Sequence, residues 1–266
     1  FLCDNHCMLA SQRRDHILHL VRTQGAVRVT DVVADLDVSD MTVRRDISEL
    51  ADQGLLLKVH GGAVDIRRTV SEPGFAAKQS WATTEKTAIA QAGLRYISPG
   101  SAIALSGGTT THLLATAIAQ RAELRPLTVV TNSIPVSEVL HNAPNSEELE
   151  VVLTGGVRTP SDALVGPVAD AALSQLKVDF TFLGVHALTP QGMFTPNIAE
   201  AQTDQKLIET GNALVVLADQ SKWDAIGLAK IAPLSAIDHL ITDAVPEPAA
   251  ESMRSLKIDV QIARAF

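Results

Sequence analysis

Five apolar runs, each about five residues long and separated by segments of helical length, constrain this chain most. They are Ser101–Leu105, Leu127–Thr131, Leu149–Leu153, Phe180–Leu183 and Ala213–Leu217, with His239–Thr242 and Asp259–Ile262 as further candidates. None alternates apolar with polar, so each reads as a strand covered on both faces, which is the pattern of a parallel sheet. Between them the spacing predicts helices over Thr84–Ile97, His112–Arg121, Pro135–Leu140, Val168–Leu176 and Ile198–Thr210. Strand and helix in regular alternation place residues 81–266 in the α/β class, as a Rossmann-like, mostly parallel domain with helices on both faces.

Polar residues gather just after the runs, and open α/β sheets bind ligands outside the carboxyl ends of their strands. Ser106-Gly107-Gly108-Thr109-Thr110-Thr111 is the strongest candidate. Its glycines permit close backbone approach, the helix that follows offers free amides, and the threonines offer hydroxyls, which together suit a phosphate or another anion. The stretch is neither G-x-G-x-x-G nor a P-loop, so nucleotide binding is not indicated. A Gly-rich turn with a Thr cap is the alternative.

Upstream, residues 9–66 read differently. Ser11–Thr23 is amphipathic, with Ile17, Leu20 and Val21 inward, and Gly25 ends it. Thr30 caps a short second helix that turns Val33, Ala34 and Leu36 inward. Only Asp37 and Val38 separate this helix from Ser39, a good N-cap for a third one, in which Val43, Ile47, Leu50 and Gly54 share a face. The opposite face carries Met41, Thr42, Arg44, Arg45 and Ser48. Arginine pairs bidentately with phosphate oxygens and with guanine, so this face suits DNA. A solvated helix face is the alternative. A short helix, a tight turn and a longer helix form a helix-turn-helix, whose second helix enters the major groove. Leu55–His60 and Ala63–Ile66 around Gly61-Gly62 then read as a hairpin wing with His60 and Gly61 at its tip.

With 266 residues the chain has room for two domains, and its 46% apolar and 20% charged content supports sizeable cores. No apolar run reaches the roughly 18 residues of a membrane span, and no secretory signal opens the chain. Two cysteines in all argue against disulfide stapling and for a cytoplasmic protein. The net charge of -8 is unevenly placed: residues 9–68 hold nine basic and nine acidic side chains, whereas residues 69–266 hold 13 and 20. The DNA-facing half is therefore neutral, and non-specific DNA binding should be weak. Cys3, His6 and Cys7 make a poor zinc site without a distant fourth ligand, and no metal or cofactor is expected. Residues 1–8 read as a disordered extension or tag, and 67–80 as a linker in which Phe75 and Trp81 dock.

Residues 9–66 resemble the N-terminal domain of DeoR-type transcriptional regulators. The resemblance lies in Val38-Ser39, Arg44-Arg45-Asp46, Gly54-Leu55-Leu56 and His60-Gly61-Gly62-Ala63, in order and in register. Residues 75–243 are similar to the effector domain of the same family, whose fold resembles ribose-5-phosphate isomerase. The matching pieces include Gly108-Thr109-Thr110, Thr131-Asn132-Ser133, Gly155-Gly156, Phe182-Leu183-Gly184, Asn197 with Glu200-Ala201, and Ala218-Asp219 with Ser221-Lys222. The resemblance implies a homo-oligomeric, winged helix-turn-helix regulator, a dimer or tetramer. It would bind an operator in double-stranded DNA and a phosphorylated sugar or related effector. It also implies that the Gly-Thr-Thr loop holds the phosphate and that Asn132, Gly155 and Lys222 line the same crevice. Two positions depart from the pattern: Ser106 replaces a frequent Asp and Asp204 a frequent Lys. Lys206 is about 200° away around a helix and is not expected to substitute.

Two other functions fit the same residues. One is a sugar-phosphate isomerase with Asp219 and Lys222 as an acid/base pair, since fold does not fix chemistry. The other is a DNA-binding protein whose second domain only oligomerises.

Overall fold

The computed structural model describes residues 9–53, 55–59, 61–65, 74–79, 82–144, 146–223, 225 and 227–264. Expectations resting on residues 1–8, Gly54, His60, residues 66–73 and Trp81 lie outside them. The chain divides into two compact units, Phe1–Ser71 and Glu72–Phe266.

The first unit begins with α1 (Ala10–Gln24), which ends at Gly25 in the left-handed region (φ 85°), where glycine carries no Cβ penalty. β1 (Ala26–Arg28) leads directly into α2 (Val29–Leu36), and α3 (Asp40–Asp52) follows a turn whose Asp37 is also left-handed (φ 49°). β2 (Leu57–Val59) and β3 (Gly62–Val64) form the wing. Ile17, Val21, Val32, Val43, Ile47, Leu50, Leu56 and Ala63 make the core.

Three details differ from the sequence reading. β1 is a third strand, pairing with β3 in the order β1-β3-β2. Thr30 does not cap α2: Arg28 is the N-cap and the helix starts at Val29, two residues earlier than a Thr30 cap would set it, and the amide of Val29 donates to the carbonyl of Gly61 in the wing turn (2.8 Å). Since the strand runs straight into the helix, the wing supplies the acceptor that a cap would otherwise provide. The buried face differs as well: Val29 and Val32 are inward and Ala34 is exposed.

The second unit is built on a seven-stranded sheet. Its strands are β4 (Ala102–Leu105), β5 (Leu127–Thr131), β6 (Leu149–Leu153), β9 (Val178–Gly184), β12 (Gly211–Leu217), β14 (His239–Thr242) and β15 (Asp259–Ile262). Their order is β15-β14-β12-β9-β4-β5-β6, and every pairing is parallel. α5 (Thr83–Gly93), α6 (Thr109–Ala119) and α7 (Ile134–His141) cover one face, meeting Ile103, Leu105, Val129, Phe182, Val215 and Leu217. α8 (Pro167–Leu173), α9 (Ile198–Thr210) and α10 (Glu247–Ser255) cover the other, meeting Ala104, Val130, Leu183, Leu214, Val216 and Leu240. Successive residues of one strand thus enter opposite cores, which is why the runs show no polar alternation.

Short elements that the sequence pattern did not announce decorate this frame. A hairpin of β7 (Val157–Arg158) and β8 (Leu164–Val165) lies before α8. A small antiparallel sheet joins β10 (Ala187–Thr189), β11 (Gly192–Thr195) and β13 (Ala229–Ala232). Within the stretch read as linker, Phe75–Gln79 forms a helix, α4, of the second unit.

Candidate DNA-recognition helix and effector crevice

The start of α3 is built as its sequence suggests. Ser39 Oγ accepts from the amide of Thr42 (3.2 Å) and contacts its hydroxyl (2.8 Å). Met41 projects with 81% of its surface exposed, and Arg44 and Arg45 are exposed beside it. The arginines are not equivalent. Arg44 holds Asp40 in a bidentate pair, Nε–Oδ1 2.5 Å and Nη2–Oδ2 3.2 Å, and this hydrogen-bonded carboxylate raises the guanidinium pKa further. Ser48 donates to the carbonyl of Arg44 (2.8 Å) and accepts from Lys58 Nζ on β2 (2.9 Å). Lys58, which the sequence reading passed over, thus adds a wing cation to the same face. Gly61, at the wing tip, is half-buried with φ 79°. The neighbouring Gly62 lies so close to β1 that a Cβ there would fall 2.0 Å from the carbonyl oxygen of Val27.

Asp46, the last residue of Arg-Arg-Asp, does not face outward. It is 4% exposed and accepts from Arg13 of α1, Nε at 2.5 Å and Nη2 at 3.3 Å. It fastens the recognition helix to α1.

In the second unit the chain runs outward from β4 through β5 to β6, then returns to β9 on the other side of β4. The reversal between β4 and β9 is a topological switch point, where ligands bind in doubly wound sheets. A crevice opens there, lined by Gly107, Gly108, Thr109 and Thr110 after β4, by Gly184, Val185 and His186 after β9, and by Ser161, Thr195, Glu200, Asp204, Lys78 and Lys222. The structure makes the threonines the first turn of α6 rather than a loop preceding it, which brings the unpaired amides of that turn to the crevice. Gly108 has φ 146°, and a Cβ on Gly107 would meet that of Ala163 at 2.8 Å.

The sequence-predicted residues separate into two groups. Gly107, Gly108, Thr109, Thr110 and Lys222 line the crevice. Ser106, Asn132 and Gly155 do not. Ser106 is 1% exposed, accepts from the amide of Gly184 (2.9 Å) and donates to the carbonyl of Gly107 (3.2 Å), tying the two switch-point loops together. Asn132 is equally buried: Oδ1 accepts from the amide of Gly107 (3.1 Å) and Nδ2 donates to the carbonyl of Leu164 (3.2 Å). Gly155 adopts φ 76° and packs beside Val168.

The whole polar lining is mixed in charge, and the sequence reading did not assign Lys78, Ser161, Thr195 or Glu200 to it. Glu200 is 7% exposed, fixed by the hydroxyls of Ser161 and of Thr195 (3.3 Å). Its helix starts at Asn197, whose Oδ1 accepts from the amides of Ala199 and Glu200. Asp204 follows one turn later, and Lys78 and Lys222 line the same crevice. Behind Lys222 lies Asp219, 3.9 Å away and 1% exposed. Burial pushes the Asp219 carboxyl pKa up, but Lys222, the hydrogen bonds of Ser221 and Lys86 outweigh it, so the pKa falls below its ordinary value. Lys206 points elsewhere, exposed and paired with Glu209 (2.8 Å). Among the described residues no group of His, Cys, Asp and Glu is placed to hold a metal.

A helix-turn-helix with a wing, joined in one chain to an α/β unit with a polar switch-point crevice, defines a ligand-sensing DNA-binding protein. The family comparisons agree: residues 13–69 match the DeoR-like helix-turn-helix domain and residues 81–244 the DeoR C-terminal sensor domain. The chain belongs to the DeoR family of transcriptional regulators. It is 31% identical to the glycerol-3-phosphate regulon repressor of Escherichia coli K12 over 241 residues, covering 90% of this chain and 93% of that protein. It is 34% identical to the transcriptional regulator GlpR of Haloferax volcanii over 238 residues, covering 89% and 91%. Among solved structures, ribose 5-phosphate isomerase A of Methanocaldococcus jannaschii matches 52% of this chain and 53% of its own, with 17% identity and a TM-score of 0.38, too loose a likeness to locate residues.

Proposed function

We propose that this protein is a repressor of carbohydrate-metabolism genes that binds an operator through α3 and the wing and is controlled by a phosphorylated sugar in the β4–β9 crevice. The single observation that carries this reading is the convergence, at one switch point, of the α6 N-terminus and Lys222 with the buried carboxylate Glu200. The helix start and the lysine suit a phosphate. Glu200, Asp204 and Thr195 suit the hydroxyls of a polyol, because carboxylates accept from them strongly. The repressor named for glycerol 3-phosphate supports the same ligand class.

The crevice functions as a sensor rather than a catalyst in this reading. Asp219, the candidate base, does not line the crevice and is already engaged by Ser221 and Lys222, whereas a general base must reach its proton. Two copies act together, since paired half-sites call for a two-fold protein, and they act in the cytoplasm with the chromosome. Among the described residues no helix is long and apolar enough to cross a membrane.

The test is fluorescence anisotropy on labelled DNA from upstream of the protein's own gene, at fixed salt, with glycerol 3-phosphate, ribose 5-phosphate and glucose 6-phosphate added in turn. One of them should change operator affinity. The same ester at 100 times its dissociation constant should stabilise the protein by about 2.7 kcal/mol. Operator binding indifferent to every ester, with no thermal shift, would leave the crevice reading without support.

A further inference from the structure

The crevice has one wall that comes from an unexpected part of the chain. The second unit begins at Glu72 and α4 at Phe75, so α4 is the first helix of that unit among the described residues. Among the described residues lining the crevice, Lys78 of α4 alone precedes α5. α4 rests on the site at several points. The amide of Phe75 donates to the carbonyl of Pro160, next to the crevice residue Ser161 (3.2 Å). The Phe75 ring is 7% exposed and meets His112, in the first turn of α6, edge to face with centroids 5.3 Å apart. The carbonyl of Lys78 accepts from Nζ of Lys86 (3.2 Å), which is itself 2% exposed and lowers the pKa of Asp219 behind Lys222.

We propose that Lys78 is an anion ligand of the crevice and that bound effector, through Lys78, holds α4 against the rest of the sensor unit. This rests on the reading of the crevice as a phosphate-ester site and adds a residue and a route to it. Lys78 has an interaction within the protein already, so binding exchanges that partner for the ligand. A ligand that reaches Lys78 only when α4 is docked binds the docked state more tightly, and it shifts the equilibrium by that difference. The same coupling must act in reverse, so the docking of α4 changes effector affinity by an equal factor. Lys222, which lies outside α4, cannot supply this link.

The experiment is hydrogen–deuterium exchange on the full-length chain with inorganic phosphate and with ribose 5-phosphate, each titrated, alongside calorimetric affinity. The expected result is slowed exchange in residues 74–79 as well as 107–112. In Lys78→Gln the slowing at 74–79 disappears and affinity falls about tenfold, the size of one part-exposed charge-assisted contact. Lys78→Arg retains both effects, and Lys206→Ala changes neither. Glutamine keeps the first two methylenes and removes the charge, and circular dichroism of the variant checks that the fold survives. Protection confined to 107–112, or wild-type affinity in Lys78→Gln, overturns the role of α4 and leaves the crevice reading intact. No protection in either segment with either probe overturns both.

Discussion

The Arg13–Asp46 pair makes an asymmetric prediction about the recognition helix. Asp46 is 4% exposed and fully engaged by a guanidinium that is 13% exposed along its side chain. In Arg13→Met the carboxylate stays buried without its partner, which costs about 3–5 kcal/mol. In Asp46→Leu the partner is a long side chain that can swing its head into water, and the loss is nearer the ~1.5–3 kcal/mol of charged hydrogen bonds. The double variant leaves no stranded charge and should lie within about 1 kcal/mol of the parent. The coupling between the two sites is then about 3 kcal/mol or more, at the upper end for neighbours. A unit of this size is stabilised by only about 3–9 kcal/mol, so Arg13→Met alone should unfold a large share of it at room temperature. Urea titration followed by far-UV circular dichroism is the assay. Both tryptophans, Trp81 and Trp223, lie outside residues 9–66, so their fluorescence follows the second unit and serves as the internal control. If Arg13→Met costs under about 1 kcal/mol, or the double variant shows the sum of the singles, the buried-pair argument is refuted.

Other outcomes follow from the same geometry. Arg45→Ala should lose about 1–3 kcal/mol of specific operator binding if Arg45 reads a base, or lower affinity on all sequences with a shallower salt slope if it meets phosphate. Arg44→Ala should lose less, because Asp40 already occupies that guanidinium, and Asp40→Asn should tighten DNA binding; anisotropy over a salt series checks all three. Gly62→Ala forces its Cβ against the Val27 carbonyl and should cost about 1–3 kcal/mol while loosening the wing, read by urea titration. His112 is partly buried, and desolvation lowers its pKa below 6.5, more than offsetting the opposing hydrogen bond to Pro135. Its neutral form is favoured in the fold, so below 6.5 the unfolded chain binds more protons. Stability of the second unit should therefore fall as pH drops from about 6.5 through the lower folded value, and His112→Gln should flatten that slope in tryptophan-monitored titrations.

The parts of this molecule legible in its sequence are those governed by local periodicity. The inward face of α3 follows from the spacing of Val43, Ile47 and Leu50, its start from the hydroxyl of Ser39, and the end of α1 from Gly25. The parallel sheet follows from runs whose alternate residues, such as Phe182 and Leu183, enter opposite cores. Ala26–Arg28, Val157–Arg158 and Gly192–Thr195 escaped because they do not stand out as apolar runs between turn signals: they are held by their partners and not by their composition. The crevice escaped in part for another reason. Lys78, His186 and Glu200 meet only because the sheet order brings distant loops together, and nothing near each residue in the chain records that meeting.

The two departures from the family pattern turn out to differ in kind. Ser106 stands where a carboxylate is frequent, yet its hydroxyl does not line the crevice: it joins Gly184 to Gly107 and so sets the separation of the two switch-point loops. A side chain used this way shapes the cavity without contacting its occupant. Asp204 does line the crevice, in place of a frequent lysine and one turn after Glu200. That exchange adds a second carboxylate, beside Glu200, to a crevice that also holds the α6 start, Lys78 and Lys222. A ligand carrying phosphate throughout its length would meet repulsion from the Glu200 and Asp204 carboxylates, where like charges are costly to bring together in a desolvated site. A monophosphate with a hydroxyl-rich or cationic far end would not. Asp204→Lys should therefore shift preference from monophosphate esters toward bisphosphates, and a calorimetric comparison of fructose 6-phosphate with fructose 1,6-bisphosphate on both proteins measures it. Equal discrimination by parent and variant would show that Asp204 lies beyond the ligand's reach.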